Sequence, residues 1–219
     1  HRLPAAVEEY LYPAMEDCKI DFTLDSGMHA RVVTYALQPF TLIGATTRAG
    51  LLTGALRSRF GIVHNIRFYD CDELSAILQQ ASAKLALQTP SEEAFTRIAS
   101  RSRGTPRIAL RLLRRVRDYA QIKHNGDINI SVVNAALELE GIDEAGLDTL
   151  DRAYLATLSG VYEGGPVGVE AIAASLGEDA GTLQDVVEPY LLQAGMLART
   201  RQGRKITSSG LQHLNLKSK

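Results

Sequence analysis

The sequence predicts a protein of mixed class, in which an α/β segment is followed by an all-α region and then by helices with a small β-ribbon. The run at residues 40–43, Phe-Thr-Leu-Ile, is apolar and rich in strand formers, which is typical of a buried strand. From Asp72 onward, apolar residues recur at helical spacing. Residues 196–200 and 205–208 are typical of two short strands. We therefore divide the chain into domains at residues 1–71, 72–147 and 148–219.

Composition limits the class of protein. The 219 residues are 45% hydrophobic, which suffices for one or two globular domains, or more small ones. Because no apolar run is long enough to cross a bilayer and the start lacks a signal-peptide pattern, we expect a cytoplasmic protein with no membrane partner. Cys18 and Cys71 are isolated, so they predict neither a disulfide framework nor a metal site. A net charge of −1 excludes a globally basic DNA binder but allows local basic patches.

Helix starts can be predicted from caps and prolines. Pro4 suits the first turn of a helix over residues 4–16. Asp72 and Ser131 are candidate N-caps, and residues 89–92, Thr-Pro-Ser-Glu, predict a capping box with proline at the first helical position. Pro106 opens a further helix, whose apolar face alternates with arginines.

The polar residues after the predicted strand point to a ligand. Thr46 and Thr47 follow its carboxyl end, where ligands bind in open α/β sheets. Arg57 and Arg59 come next and lie only two residues apart. Since side chains at that spacing do not share a helix face, at least one arginine should point outward toward a neighbouring molecule.

Three motifs in this order resemble one family. The segments GATTRAG (44–50), LRSRFGI (56–62) and GTPRIALRLLRRVRD (104–118) are similar to the sensor 1, arginine-finger and sensor 2 regions of the RuvB family of AAA+ ATPases. This family consists of motors for branch migration of Holliday junctions. The resemblance extends from Arg2 to about residue 215.

The resemblance implies roles for the motif residues. Thr46 and Thr47 would form sensor 1, with a hydroxyl near the attacking water. Arg59 would be the finger that enters the site of the adjacent subunit, with Arg57 as the alternative. An arginine finger stabilises the phosphoryl-transfer transition state and contributes roughly 10³–10⁵ in rate. Catalysis would therefore take place between subunits.

Arg107 is open to two interpretations. A cation in the first turn of a helix lies near the positive end of the dipole, which is unfavourable unless an anion binds there. Most arginine-rich helix faces are simply solvated. The resemblance implies instead that Pro106 and Arg107 belong to sensor 2, whose arginine reaches the nucleotide phosphates from the lid and moves the lid when the γ-phosphate is lost.

The phosphate-binding loop of such ATPases is not found in this chain. No G-x-x-x-x-G-K-[ST] motif occurs. In the family, a His-Arg-Leu similar to residues 1–3 follows the Walker B acids, so the resemblance implies that ATP and Mg²⁺ bind through a segment preceding His1. We expect that this polypeptide by itself does not hydrolyse ATP.

Residues 19–37 predict a hairpin that turns at residues 25–27, Asp-Ser-Gly. It could be an ordinary meander packed on the core. The resemblance implies instead that Val33 and Tyr35, two apart on one face, contact a RuvA-like protein. Residues 26–29 and Tyr35 depart from the usual family pattern.

The last third has the element order of a winged helix. The second helix of its pair, predicted at residues 182–194, contains Asp185 and Glu188 but no Lys or Arg, whereas residues 199–219 contain six Lys or Arg and no acid. We therefore predict that the wing contacts DNA phosphates without reading sequence, and that binding by about four cations gives a slope of log K against log salt of about −3 to −4. The predicted DNA contacts are Arg199, Arg201, Arg204 and Lys205. A solvated tail or a protein-binding winged helix is the alternative.

The combined prediction is a subunit of an ATP-driven, homohexameric DNA motor that migrates Holliday junctions beside a RuvA-like protein. Its fold would comprise the rear of an AAA+ α/β domain, a helical lid and a winged helix. A winged-helix transcription regulator would leave Thr46, Arg59 and Arg107 without a role. A clamp-loader-type AAA+ subunit would share the sensor motifs, but it would not be expected to end in a winged helix.

Overall fold

The structure is a computed structural model that describes residues 3–24, 31–85, 87 and 90–215. It divides into two compact units, one up to Ile66 and one from Arg67 onward. The predicted class is confirmed, since helices predominate and small antiparallel sheets accompany them. Over the described ranges, no helix is both long and apolar enough to cross a membrane.

The first unit contains a helix, a hairpin and a short second helix. Its elements are α1 (Ala5–Asp17), β1 (Lys19–Leu24), β2 (Arg31–Ala36) and α2 (Gly54–Arg59). Strands β1 and β2 pair antiparallel, with Ile20 opposite Tyr35 and Phe22 opposite Val33. The hairpin strands are therefore as predicted, while the predicted turn at residues 25–27 lies outside the described residues.

The prediction of a buried strand at residues 40–43 is wrong. This segment is not a strand, and Phe40 and Ile43 are 47% and 88% exposed. A strand needs a neighbour to pair its backbone groups and another layer to cover its side chains. Among the described residues of this unit, only β1 and β2 pair with each other. Ile62, Val63 and Ile66 are exposed for the same reason.

The second unit begins with four helices around one apolar core. They are α3 (Cys71–Lys84), α4 (Glu92–Ser100), α5 (Pro106–Lys123) and α6 (Ile130–Leu139). Their apolar residues recur at helical spacing, so each helix buries one stripe. Leu78, Ile98 and Leu112 are fully buried at the centre of this core.

The caps of these helices differ from the predicted ones. Asp70, not Asp72, caps α3, because its extended backbone lets Oδ1 accept a hydrogen bond from the Glu73 N–H at 2.8 Å. Glu73 in turn accepts from the Asp70 N–H at 3.0 Å, which completes a capping box. Asp72 lies inside the first turn, where the N–H groups ahead of it are out of reach.

Two further caps are shifted in the same way. Ser91 caps α4 and accepts from the Ala94 N–H at 3.2 Å, so the helix begins after Pro90 and Ser91. Asn129 caps α6 in place of Ser131, and its Oδ1 accepts from the N–H groups of Ser131 and Val132. Sequence spacing leaves two or three polar candidates at each start, and the backbone conformation selects among them.

The last part of the second unit is a winged helix, as predicted. Its elements are α7 (Thr149–Gly160), α8 (Val169–Leu176), α9 (Ala180–Thr182), a π turn (Leu183–Val187), α10 (Glu188–Gln193), β3 (Leu197–Thr200), β4 (Gly203–Ile206) and α11 (Ser208–Asn215). Helix α11 is an addition to the prediction. Strand β4 pairs with β3 and also bridges to Val167, and Leu158, Ile172 and Leu183 lie at the centre of a second apolar core.

Candidate functional site

The predicted sensor 1 threonines lie in the loop that follows residues 40–43. Both Thr46 and Thr47 are exposed. The Thr46 hydroxyl accepts a hydrogen bond from the Arg48 N–H at 3.1 Å, which gives this turn a defined local conformation. Hydroxyls at the surface of a loop can contact a ligand without breaking the core.

The two candidate finger arginines differ in exposure. Arg57 is exposed on α2. The Arg59 side chain is only 23% exposed, because its Nε lies 3.0 Å from Glu16 Oε1 and its guanidinium carbon lies 4.2 Å from the centre of the Tyr12 ring. Arg59 Nη1 also donates to the Ala55 carbonyl at 2.8 Å. In this structure, Arg57 is the arginine that points outward and Arg59 is held against α1.

Arg107 lies exposed in the first turn of α5, directly after Pro106 at the first helical position. The N-cap residue, Thr105, does not cap the helix with its side chain, and its hydroxyl donates to the Arg103 carbonyl at 3.2 Å. The Thr105 side chain therefore leaves the first N–H groups of α5 uncapped, although its carbonyl accepts from the N–H groups of Ile108 and Ala109, both at 3.0 Å. Together with a nearby cation, such a helix end can receive an anion.

The backbone just before this helix is fixed by close contacts. Gly104 has a φ of +65°, and a Cβ there would lie 2.8 Å from Phe68 Cβ. The Tyr69 N–H donates to the Gly104 carbonyl at 2.9 Å. Only glycine fits this approach, so the Gly-Thr-Pro-Arg segment starts from a defined position.

Arg103 is an important residue that sequence reasoning missed. Its side chain is 9% exposed and donates from Nε to the Gly146 carbonyl at 2.8 Å and from Nη2 to Asp148 Oδ2 at 3.0 Å. Nη2 also donates to Asp151 Oδ2 at 2.5 Å, and the guanidinium carbon lies 5.1 Å from the centre of the Tyr190 ring. The two aspartates form the capping box of α7, which the sequence could have shown. Their arginine partner is 45 residues from Asp148, and no local signal reveals it.

The two aspartates around Arg103 have opposite pKa shifts. Burial raises the pKa of Asp151 to about 6, against the opposing effect of Arg103. Its Oδ1 is buried and has no hydrogen-bond partner among the residues that the structure describes. Burial also tends to raise the pKa of Asp148. The hydrogen bond from the Asp151 backbone and the charge of Arg103 outweigh this effect, so the pKa of Asp148 is lowered.

The wing cations surround a buried acid. Glu188 is fully buried and accepts from Arg199 Nε at 2.8 Å, from Arg204 Nε at 2.9 Å and from the Tyr154 hydroxyl at 2.9 Å. Arg201 and Lys205 are exposed. Glu188 therefore does not lie on the surface of its helix, which corrects the premise that it would repel DNA there.

The predicted partner-binding residues lie on one face of the hairpin. Val33 is 46% and Tyr35 is 62% exposed, and their cross-strand neighbours are Phe22 and Ile20. The Tyr10 ring of α1 stacks on Phe22 with ring centres 6.2 Å apart. This face of the hairpin is thus apolar. It contacts α1 through Phe22, while Val33 and Tyr35 remain exposed. In the described part of the chain, no group of His, Cys, Asp or Glu could hold a metal ion.

Comparison with known proteins shows the class and then the family. Three family models match the chain in order: a Holliday junction DNA helicase RuvB P-loop domain over residues 1–66, a RuvB AAA lid domain over 69–143 and a RuvB C-terminal winged-helix domain over 144–215. A lid domain of the AAA type joined to a C-terminal winged-helix domain defines the class. The chain belongs to the RuvB family.

Individual relatives agree with this assignment. The chain is 53% identical over 216 residues to the Holliday junction branch migration complex subunit RuvB of Desulfosudis oleivorans, covering 99% of this chain and 63% of that protein. It is 47% identical, with a TM-score of 0.84, to the Thermotoga maritima RuvB Holliday junction branch migration motor, covering 98% of this chain and 67% of the other. A point mutant of that motor gives a TM-score of 0.86 at 48% identity, covering 98% and 68%.

Proposed function

We propose that the chain is part of an ATP-driven motor subunit that migrates Holliday junctions, divided into domains at residues 1–71, 72–147 and 148–219. The observation that carries the proposal is Arg107, exposed at a helix start that the side chain of its N-cap residue leaves uncapped, in the same chain as a wing with Arg201 and Lys205 exposed. The first group suits a nucleotide phosphate and the second suits DNA phosphates.

Arg107 and Pro106 would sense the nucleotide from the lid, and the hydroxyls of Thr46 and Thr47 would contact the attacking water. ATP and Mg²⁺ would be bound by a P-loop region of the kind that the family has. Because this chain has no G-x-x-x-x-G-K-[ST] motif, we propose that it does not hydrolyse ATP by itself. The exposed apolar segments 40–43 and 62–66 would pack against that region.

Arg59 remains the proposed finger, although it pairs with Glu16. Glu16 is 56% exposed, and an ion pair at the surface stabilises a protein by only about 0–1 kcal/mol. A finger lowers the barrier by roughly 4–7 kcal/mol, the equivalent of 10³–10⁵ in rate. Releasing Arg59 from Glu16 therefore costs far less than its catalytic contact would supply. Arg57 is already exposed and is the alternative.

The remaining partners follow from the same proposal. The wing with its four cations, Arg199, Arg201, Arg204 and Lys205, would hold double-stranded DNA through its phosphates. Val33 and Tyr35 would contact a RuvA-like protein, and the active form would be a homohexamer. A motor on chromosomal DNA of this kind would work in the bacterial cytoplasm.

The test is to join the P-loop region of the Desulfosudis oleivorans relative to this chain and to measure ATP hydrolysis and junction unwinding with added RuvA. We expect DNA-stimulated hydrolysis that the chain by itself lacks. Arg59→Ala should lower kcat by roughly 10³-fold or more, and Arg57→Ala, the matched control, should lower it much less. The reverse order of effects would assign the finger to Arg57.

The same experiment separates the other two classes. A winged-helix regulator would bind DNA but would gain no ATPase activity from the added region. A clamp-loader-type subunit would hydrolyse ATP, yet it would not unwind junctions when RuvA is present. Either result would contradict the motor.

A further inference from the structure

Glu188 binds two arginines of the wing, Arg199 and Arg204, and the geometry of the two contacts differs. Arg199 in β3 donates from Nε and Nη2 to Oε2, with the Nε contact at 2.8 Å. Arg204 in β4 donates from Nε to Oε1 at 2.9 Å and from Nη2 to Oε2 at 3.4 Å. The Tyr154 hydroxyl completes the set at Oε1. A fully buried carboxylate requires this kind of compensation, because an unpaired charge in the interior is strongly destabilising.

The two arginines differ in how exposed their side chains are and in which hydrogen-bond donors remain available to a ligand. The Arg204 side chain is 18% exposed, and its backbone N–H and carbonyl both bond to Val167, at 2.7 and 3.0 Å. The Arg199 side chain is 47% exposed. Within the described part of the chain, its Nη1 makes no hydrogen bond. Arg204 is thus directed inward, while Arg199 presents one edge of its guanidinium to solvent.

We propose that Glu188 is a positioning residue for DNA, which fixes Arg199 so that its free Nη1 edge meets a backbone phosphate, and that Arg204 supports Glu188 and does not itself bind DNA. The inference rests on the proposed function, in which the wing binds duplex DNA. It deepens that function, because it divides four predicted cations into three phosphate contacts, Arg199, Arg201 and Lys205, and one support.

The physical reason is pre-organisation. A free arginine loses side-chain entropy when it is fixed on a phosphate, and each long side chain that binding immobilises weakens the binding about 3- to 10-fold. The bidentate contact with Glu188 fixes Arg199 before DNA arrives. One acid and two arginines leave the cluster with a net positive charge, and the exposed edge of Arg199 is where that charge faces solvent.

The salt dependence of DNA binding by this chain tests the division. With a random-sequence duplex followed by fluorescence anisotropy, three contacts give a slope of log K against log salt of about −2.7, and four give about −3.6. We expect a slope of about −2.7, the value for three contacts. Arg199→Gln, Arg201→Gln and Lys205→Gln should each make it shallower by about 0.9, while Arg204→Gln should leave it unchanged.

Glu188→Gln tests the positioning itself. It should weaken binding about 3- to 10-fold at fixed salt, the equivalent of one newly mobile side chain, without changing the slope. Glu178→Gln removes an exposed acid from the same module and is the matched control for net charge; it should not weaken binding. Circular dichroism melts confirm that each variant is folded at the assay temperature.

Arg199→Lys is a second test of the contact between Arg199 and Glu188, and it applies even if Glu188→Gln does not fold. Lysine keeps the charge but cannot hold Glu188 through two nitrogens, so we expect weaker binding with an unchanged slope. The inference is overturned if Glu188→Gln binds as tightly or more tightly, or if Arg204→Gln makes the slope shallower by about 0.9. If the unmodified chain fails to bind duplex DNA at all, the proposed DNA contact fails instead.

Discussion

Asp151 combines two properties that rarely occur together in one side chain. It pairs with Arg103 through Oδ2, while its buried Oδ1 has no hydrogen-bond partner in the described ranges of the chain. A buried carboxylate with half of its hydrogen-bonding capacity unused is costly in its charged form, which is why its pKa is raised to about 6. The protonated form would relieve that cost, so the stability of the chain should depend on this one residue in a defined pH range.

The sign of the dependence follows from linkage. An Asp with a pKa near 4 unfolded and about 6 folded binds its proton more tightly in the folded state, so folding loses up to about 3 kcal/mol as the pH rises between those values. We expect Asp151→Asn to remove this dependence. Urea unfolding of the chain and the variant at pH 4–7 measures the difference in unfolding free energy.

Asp148 provides the control, because its pKa is lowered. Its contribution is present above the pKa of the unfolded state and is lost as the pH falls toward the lower folded value, which is the opposite sign. Asp148→Asn should keep a pH dependence of the same sign, displaced to lower pH, because the charge of Asp148 and its hydrogen bond help to raise the pKa of Asp151. If the difference between the chain and Asp151→Asn is constant across that range, the raised pKa is wrong.

At the scale of elements, the helices of the second unit could be predicted because each carries an apolar stripe that one core requires. The predicted strand at residues 40–43 failed because a strand also needs a partner outside its own sequence. Arg103 and Glu188 were unpredictable for a related reason. Asp148 is 45 residues from Arg103, and the partners of Glu188 are 34 residues away for Tyr154, 11 for Arg199 and 16 for Arg204, distances over which helical or strand spacing carries no signal.

The cap of α3 offers a direct test at this scale, because the sequence favours Asp72 and the structure favours Asp70. Asp70→Ala removes a side-chain acceptor from the Glu73 N–H, so it should lower the free energy of unfolding by about 1 kcal/mol. Asp72→Ala, the matched control, loses only a favourable charge near the helix dipole, about 0.3–1 kcal/mol at low salt and less at high salt.

Denaturant unfolding at 0.5 M salt separates the two effects, because screening removes the dipole contribution but not the cap hydrogen bond. A larger loss for Asp72→Ala under these conditions would show that the helix begins later than Cys71.

In the second unit as a whole, polar contacts connect the apolar core of the helical lid with the apolar core of the winged helix. We call the region of these contacts the joint. Arg103 reaches from the loop before α5 to the capping box of α7. On the other side of the joint, Arg152 donates to the carbonyls of Gly141 and Leu147, both at 2.8 Å. The loops also approach closely, since a Cβ on Gly146 would lie 2.9 Å from the Arg101 carbonyl oxygen. These contacts predict that the lid and the winged helix move as one body.

Arg103→Gln should loosen this joint without unfolding either core. The variant leaves Asp151 buried without its cation, a loss on the order of 3–5 kcal/mol for a buried pair, while the cores around Leu112 and Leu158 keep their packing. Hydrogen exchange followed by mass spectrometry should show faster exchange in peptides 101–105 and 143–151, with α4 and β3 still protected. Arg97→Gln is the control, because Arg97 bonds to Asn134 between α4 and α6 and not to the winged helix. Equal exchange in Arg103→Gln and the unmodified chain would mean that Arg103 does not hold the joint, and that the contacts of Arg152 and the packing at Gly146 suffice.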